Sequence, residues 1–358
     1  MGVFDRMLRP EESVFSNPDA LDLDFVPKLL PHREDQQFYI ANAIKPLFVG
    51  RGGKNILVHG APGIGKTVSV KRVLMDMDEA EETAEVSWVF VNCWRKNTSY
   101  KVLLDIVHQL GYKFTQNLNT DDLMRVVKKI AEKRQSLVFA FDEIDKAEDY
   151  DFLYYILEDV PKKTIILITN DGSWRGGMDK RIESRLLPEL LEFQKYSPSE
   201  VKDILQQRLK FAFYEDVWDD AAFDKVATKA AEFGDVRVGV TLLKASGERA
   251  EAASSRKVTE EYVSQAIDAL KEIKIRSSDT LTDDEKLILR VCKEHTGKKT
   301  GELYEQYKTS GGDKSLRTFQ RSLQALANKK VIELKATREK GSSSEVVYKG
   351  SEMKLTDF

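Results

Sequence analysis

The sequence predicts an α/β chain in three parts: a parallel sheet carrying a phosphate-binding loop, an all-α domain, and a module of three helices and a hairpin. Three observations carry that reading. Four short apolar runs without strict alternation are separated by helix-length polar-apolar segments, the pattern of strands buried on both faces. A Gly-rich octet ending in Lys66-Thr67 follows the first run. Ser197-Pro198-Ser199-Glu200 then opens a stretch of helical periodicity reaching Glu272, with Ser as N-cap and Pro at the first helical position.

The first run, Lys54–His59, breaks at Gly60 and leads into a helical segment, Lys66–Met77. Further strands are expected at Ser87–Asn92, Ser136–Phe141 and Thr164–Thr169. The polar stretch Arg276-Ser277-Ser278-Asp279 precedes the last part, where three helical patterns are followed by strand-like runs at Val331–Lys335 and Glu345–Lys349. Three helices and a hairpin outline a winged helix. The expected domains are 1–195, 196–275 and 281–350, with a tail at 351–358.

Composition bounds the function. The chain has 358 residues, 41% hydrophobic and 32% charged, with net charge −3 from 56 basic and 59 acidic side chains. At roughly 100–200 residues per domain, two or three domains fit. No run approaches the roughly 18 apolar residues of a membrane span, and Met1-Gly2-Val3-Phe4-Asp5-Arg6 leads into an acidic stretch rather than a signal-peptide core. A soluble intracellular protein, with no membrane partner, is expected. Cys93 and Cys292 lie far apart, and His32, His59, His108 and His295 are scattered, which argues against a disulfide scaffold and a zinc module.

Gly60-Ala61-Pro62-Gly63-Ile64-Gly65-Lys66-Thr67 fits G-x-x-x-x-G-K-[ST] between a strand and a helix that continues through Val68. Its glycines let backbone N–H groups face phosphate oxygens, as does the helix N-terminus. Lys66 supplies a charge toward the β- and γ-phosphates, and the Thr67 hydroxyl is placed to ligate Mg²⁺. The third strand runs into Asp142-Glu143-Ile144-Asp145, at the strand end where such sheets hold ligands. Asp142 is expected to hold Mg²⁺, Glu143 to orient or deprotonate water, and Asp145 to be structural or a surface residue. Asn170 ends the next strand and could position that water. Arg181 and Arg185, four apart on one helical face, could act as fingers on a neighbouring subunit's γ-phosphate.

This order of motifs, continued by Gly234-Asp235-Val236-Arg237 with Leu242-Leu243 and then a winged helix, resembles the AAA+ replication initiators of archaea, the origin-recognition/cell-division-cycle-six family. Leu29-Leu30-Pro31-His32-Arg33-Glu34, Val91-Asn92-Cys93 and Val258–Val263 resemble the same family. The resemblance implies a AAA+ core, a helical lid and a winged helix, with ATP/ADP and Mg²⁺ as cofactors. By it, Lys66 and Thr67 are Walker A, Asp142 and Glu143 Walker B, Asn170 sensor 1, Arg237 sensor 2, and Arg181 or Arg185 the arginine finger. The resemblance also implies that His32 and Arg33 lie near the adenine. Implied partners are double-stranded origin DNA, the replicative MCM helicase and a second initiator subunit, in an archaeal cytoplasm beside the nucleoid. Residues 97–122 correspond to a DNA-contacting insertion, but Gly111–Asn117 lacks the Pro and Gly expected there. The Ser173–Gly177 stretch is unusual as well.

Charge distribution adds a signal of its own. Residues 282–350 hold 15 Lys and Arg against 10 Asp and Glu, a balance of +5 that leaves −8 elsewhere. In the third helical pattern Leu316, Phe319, Leu323 and Leu326 form a core stripe, while Arg317, Gln320, Arg321, Gln324 and Asn328 project elsewhere. With Lys314 before that helix, and Lys335, Arg338 and Lys340 on the hairpin, the module is expected to read the major groove and grip the flanking backbone. The reading is an ATP-switched initiator that hydrolyses ATP slowly. A signalling or transcription-regulating ATPase with a winged-helix effector and a clamp-loader-like ATPase share the phosphate loop. Nothing in the chain resembles a sensor or repeat module, and terminal collar helices are missing.

Overall fold

The computed structural model describes residues 13–80, 86–133, 136–172, 174, 179–279, 283–328, 332–336 and 344–348. The chain forms two compact units, Met1–Glu260 and Glu261–Phe358.

In the first unit α1 (Glu34–Ile44) precedes β1 (Ile56–His59), and α2 (Lys66–Glu79) leads to β2 (Val86–Asn92). Then come α3 (Ser99–Gln109), α4 (Thr120–Lys133), β3 (Ser136–Asp142), α5 (Asp151–Asp159), β4 (Lys163–Thr169), α6 (Lys180–Leu186) and β5 (Glu189–Glu192). The five strands are all parallel, in the order β2-β3-β4-β1-β5. Each expected strand is present within two residues of its expected bounds, and β5 is an addition. It pairs Ile56 with Glu189 at the sheet edge, and its alternate residues are exposed, so it carries no continuous apolar run.

The alternation of β3 builds both faces of the core. Leu137, Phe139 and Phe141 pack with Val102, Ile106, Leu123 and Phe152, on the side of α3, α4 and α5. Val138 and Ala140 pack with Ile40, Ile44, Val70 and Leu74, on the side of α1 and α2. Every β3 residue is buried, which fixes register, because a one-residue slip would exchange the two faces. The same strand therefore delivers Asp142 at a fixed height.

Helices α7 (Pro198–Ala212), α8 (Asp220–Phe233) and α9 (Val236–Ala252) follow. The Ser197/Glu200 pair closes a reciprocal capping box with Pro198 in the first turn, satisfying two orphan N–H groups. An N-terminal strap crosses these helices. The Val14 N–H donates to Glu251 Oε1 at 3.0 Å, Arg208 donates to Ala20 O at 2.9 Å, and Lys244 pairs with Asp22 at 2.7 Å. Burial holds the Arg208 guanidinium down at about 10.

Helix α10 (Glu260–Asp279) starts at the last residue of the first unit and runs on into the second. The second unit continues with α11 (Asp283–Glu294), β6 (Lys298–Lys299), α12 (Thr300–Thr309), α13 (Leu316–Asn328), β7 (Ile332–Ala336) and β8 (Ser344–Tyr348). The strands form an antiparallel sheet ordered β6-β8-β7. From α11 onward, three helices and a hairpin follow in the order the sequence predicted for a winged helix, with β6 as an addition between the first two helices. Its core gathers Ile288, Val291, Leu303, Tyr307, Phe319, Leu323, Leu326 and Val346. Leu316 departs from the expected stripe, with 42% of its surface exposed, because it stands at the first position of α13 before the helix meets the core. No helix among the described residues is long and apolar enough to cross a membrane.

Candidate functional site

Because β3, β4 and β1 are adjacent, the residues after them converge. Lys66 Nζ donates to Gly60 O at 2.8 Å, Ala61 O at 2.7 Å and Asn170 Oδ1 at 2.8 Å. Its ammonium is therefore held between the loop and the end of β4. Burial draws Lys66 down to about 8, against the pull of Asp142. The Thr67 hydroxyl lies 3.1 Å from both Asp142 oxygens. Burial raises Asp142 and also Glu143, whose shift is increased by the charges of Asp142 and Asp145. Glu143 sits at φ 51, a left-handed conformation that costs a non-Gly residue roughly 1–2 kcal/mol. The Glu143 N–H donates to Asp142 Oδ1 at 3.1 Å. Asp145 accepts from Thr169 Oγ1 at 2.9 Å and so ties the start of the turn to β4.

The helical region closes onto the loop. Asp235 caps α9, accepting from Arg237 N at 2.9 Å, and its carboxylate also receives Arg237 Nη2 at 2.7 Å. A Cβ built on Gly63, which has φ +73, would lie 2.0 Å from Asp235 Oδ1. Arg237 is near enough to Lys66 and Glu143 for its charge to bear on both. The loop is held from the other side by Arg33, which donates from Nε to Ile64 O at 3.1 Å and from Nη2 to Gln194 O at 2.7 Å. Its guanidinium lies 3.8 Å from the Tyr196 ring centroid, and burial lowers its pKa. The family resemblance put Arg33 near the adenine. Here its Nε, Nη1 and Nη2 all donate to backbone carbonyls. His32, at φ 64, puts its ring nitrogens 3.7 Å from Glu200 and 3.3 Å from Asp203.

Arg181 and Arg185 share a face of α6, each about 5.5 Å from the Tyr154 ring centroid (5.5 and 5.4 Å). Arg181 pairs with Asp179 and Arg185 with Glu158. No contact joins either to Lys66 or Glu143 among the described residues. The loop between α3 and α4 exposes 82% of Phe114, and Trp174 donates from Nε1 to the Tyr150 hydroxyl at 2.8 Å. On α13, Arg317, Gln320, Arg321 and Gln324 are exposed, whereas Lys314 pairs with Asp284 at 2.8 Å. Lys335 lies in β7; Arg338 and Lys340 lie outside the described residues. Sequence reasoning passed over Asp235 as a loop-packing group and Tyr196 altogether. A cap residue two positions before Arg237 was the available signal for Asp235; Tyr196 had none.

A parallel sheet whose phosphate loop is covered by a helical lid in this way is the AAA+ architecture. Residues 50–169 match the AAA domain family, and residues 202–268 the Cdc6 AAA+ ATPase-type lid domain. The chain is 33% identical over 311 residues to ORC1-type DNA replication protein 1 of Sulfurisphaera tokodaii, covering 82% of this chain and 78% of that protein. It is similar to the Aeropyrum pernix ORC1 protein solved in complex with DNA, with TM-score 0.74 and 26% identity across 95% of this chain and 94% of that one. The fold also matches Aeropyrum pernix ORC2, solved as ADPNP-ADP complexes, with TM-score 0.65 and 20% identity over 94% of each chain. The chain belongs to the Orc1/Cdc6-type archaeal replication initiator family.

Proposed function

We propose that this protein binds ATP between core and lid, grips duplex origin DNA, and recruits the replicative MCM helicase, with slow hydrolysis as the switch. The observation that carries the reading is the joint between Gly63 and Asp235. A nucleotide in the loop lies against a lid helix that also bears Arg237, so phosphate occupancy and lid angle are mechanically one variable.

In this reading the loop N–H groups and Lys66 hold the phosphate chain. The hydroxyl of Thr67 and the carboxylate of Asp142 are hard oxygen donors side by side, a set that fits Mg²⁺, which takes one or two carboxylates together with substrate phosphates. When bound, Mg²⁺ neutralises charge on the phosphates. Glu143 orients the water, and its burial-raised basicity suits proton abstraction. Asn170 now holds Lys66 and is placed to hold that water once phosphate takes the ammonium. Arg181 or Arg185 serves a second initiator subunit, since each lies on an exposed face of α6.

We further propose the nucleotide-binding, lid and winged-helix domains at 1–195, 196–275 and 281–350, with the last gripping DNA through Arg317, Gln320, Arg321 and the hairpin. The DNA complex of the Aeropyrum pernix relative supports this. Footprinting across fragments of the host chromosome tests it. The expected result is a discrete protected site beside the origin that changes between ATP and ADP, and loses that change in Lys66→Ala. Uniform weak protection would overturn the initiator reading.

A further inference from the structure

Two groups of the proposed chemistry stand just past the ends of neighbouring strands. Glu143 is the first residue after β3, and Asn170 is the first after β4. The ladder from β3 to β2 ends at Asp142, and the ladder from β4 to β1 ends at Thr169, so strand pairing fixes neither group among the described residues. The side chain that joins them belongs to Thr169. It is 1% exposed, and its hydroxyl donates to Asp145 Oδ1 at 2.9 Å while accepting from the Asp171 N–H at 3.0 Å.

These two bonds do separate things. The one from Asp171 spans Asn170, a local side-chain turn that fixes the backbone from which the Asn170 amide projects. The one to Asp145 reaches across to the turn that carries Glu143, two residues upstream. A hydroxyl has one proton to give, and the Asp145 carboxylate takes it, since the carbonyl of Asp171 is farther away, at 3.4 Å. That choice aims the lone pair that receives the Asp171 N–H. Lys146 Nζ, 2.7 Å from Asp145 Oδ2, balances the charge of the carboxylate. Asn170 Oδ1 meets Lys66 Nζ at 2.8 Å, so Thr169 acts on the site through its neighbours.

We infer that Thr169 is a positioning residue that fixes Glu143 and Asn170 relative to each other, so that both address one water. The inference rests on the proposed nucleotide reading and deepens it. The test measures, on the full chain, ATP affinity by titration and single-turnover hydrolysis of radiolabelled ATP with Mg²⁺. Thr169→Val keeps the side-chain shape and removes the hydroxyl; it is expected to hydrolyse about tenfold more slowly, the scale of one good hydrogen bond, with ATP affinity held within about twofold. Thr169→Ser keeps the hydroxyl and is expected to restore most of the rate. Asp145→Ala removes the same bond from its other end and should show the same split, with the double variant no slower than the slower single one. A valine variant as fast as wild type overturns the inference. A serine variant as slow as valine overturns it too, as does an affinity that falls as far as the rate, since both mark a packing role. Failure of the underlying reading looks different: wild type would bind no ATP, or Glu143→Gln would hydrolyse it as fast as wild type.

Discussion

Asp235 occupies the space that a side chain at Gly63 would need, its Oδ1 lying 2.0 Å from the position of that absent Cβ. A residue of the lid and one of the phosphate loop are thus fitted to each other, and a methyl group is enough to part them. Gly63→Ala faces both the strain of φ +73 and the displacement of a helix cap, together about 2–4 kcal/mol. Gly234→Ala is the control, with φ +63 and nothing within 4 Å, so it bears only the strain of about 1–2 kcal/mol. In thermal melts the first variant is expected to lose about twice as many degrees as the second. Adding Asp235→Ala to Gly63→Ala should give a loss smaller than the sum of the two, since each change makes room for the other; strict additivity would mean that the contact carries no energy.

The buried ammonium of Lys66 links nucleotide binding to protons. Its pKa is about 8 in the folded chain against 10.5 ordinarily. Between those values the unfolded chain binds more protons, so this group makes stability rise with pH from about 8 to about 10.5. Phosphate favours the charged form. Calorimetry in buffers of different ionisation enthalpy should therefore show proton uptake on ATP binding at pH 9 and none through this group at pH 6.5. Lys66→Met should abolish the uptake, and uptake that persists would assign it to another group.

Arg33 is a brace of the loop in this structure. Arg33→Ala strips the donors from Ile64 O and Gln194 O and leaves Tyr196 without its stacked cation, a loss of about 2–4 kcal/mol. Arg33→Lys is expected to recover less than half of it, because an ammonium cannot reproduce the planar fork. Chemical unfolding of the three proteins checks the order; a lysine variant as stable as wild type would contradict it.

On DNA, Arg317→Ala and Arg321→Ala should each weaken binding and lower the salt slope by about one. Lys314→Ala should change the slope less, because its charge is already engaged by Asp284. Affinities across a salt series decide this, and equal slopes for all three variants would move the contacts off α13.

Much of this was readable because it is local. The Ser197-Pro198-Ser199-Glu200 cap, the unbroken apolar run of β3 and the Gly-rich octet each declare their structure within a few residues. Strand β5 was not readable, since half of its four residues face solvent, and β6 has only two. Leu316 fitted a helical stripe by spacing, but spacing says nothing of where a helix first touches its core. The fit of Asp235 to Gly63 and the brace from Arg33 to Gln194 are pairings across the fold, invisible to any window along the chain. Glu143 was marked by its place after β3, while its left-handed backbone belongs to a turn that the Asp145–Thr169 bond ties to β4, a pairing no short window reveals.

The N-terminal strap has a consequence for synthesis. Val14 leaves the ribosome well ahead of the carboxylate that holds it, on Glu251, 237 positions away. At roughly 5–20 residues per second, the strap waits on the order of 10–50 s for its seat. The sheet can close in the interval, since β1 to β5 are complete by Glu192, but the lid cannot lock until its last helix arrives. The chain thus completes its parallel sheet before it completes the helical layer that the strap fastens.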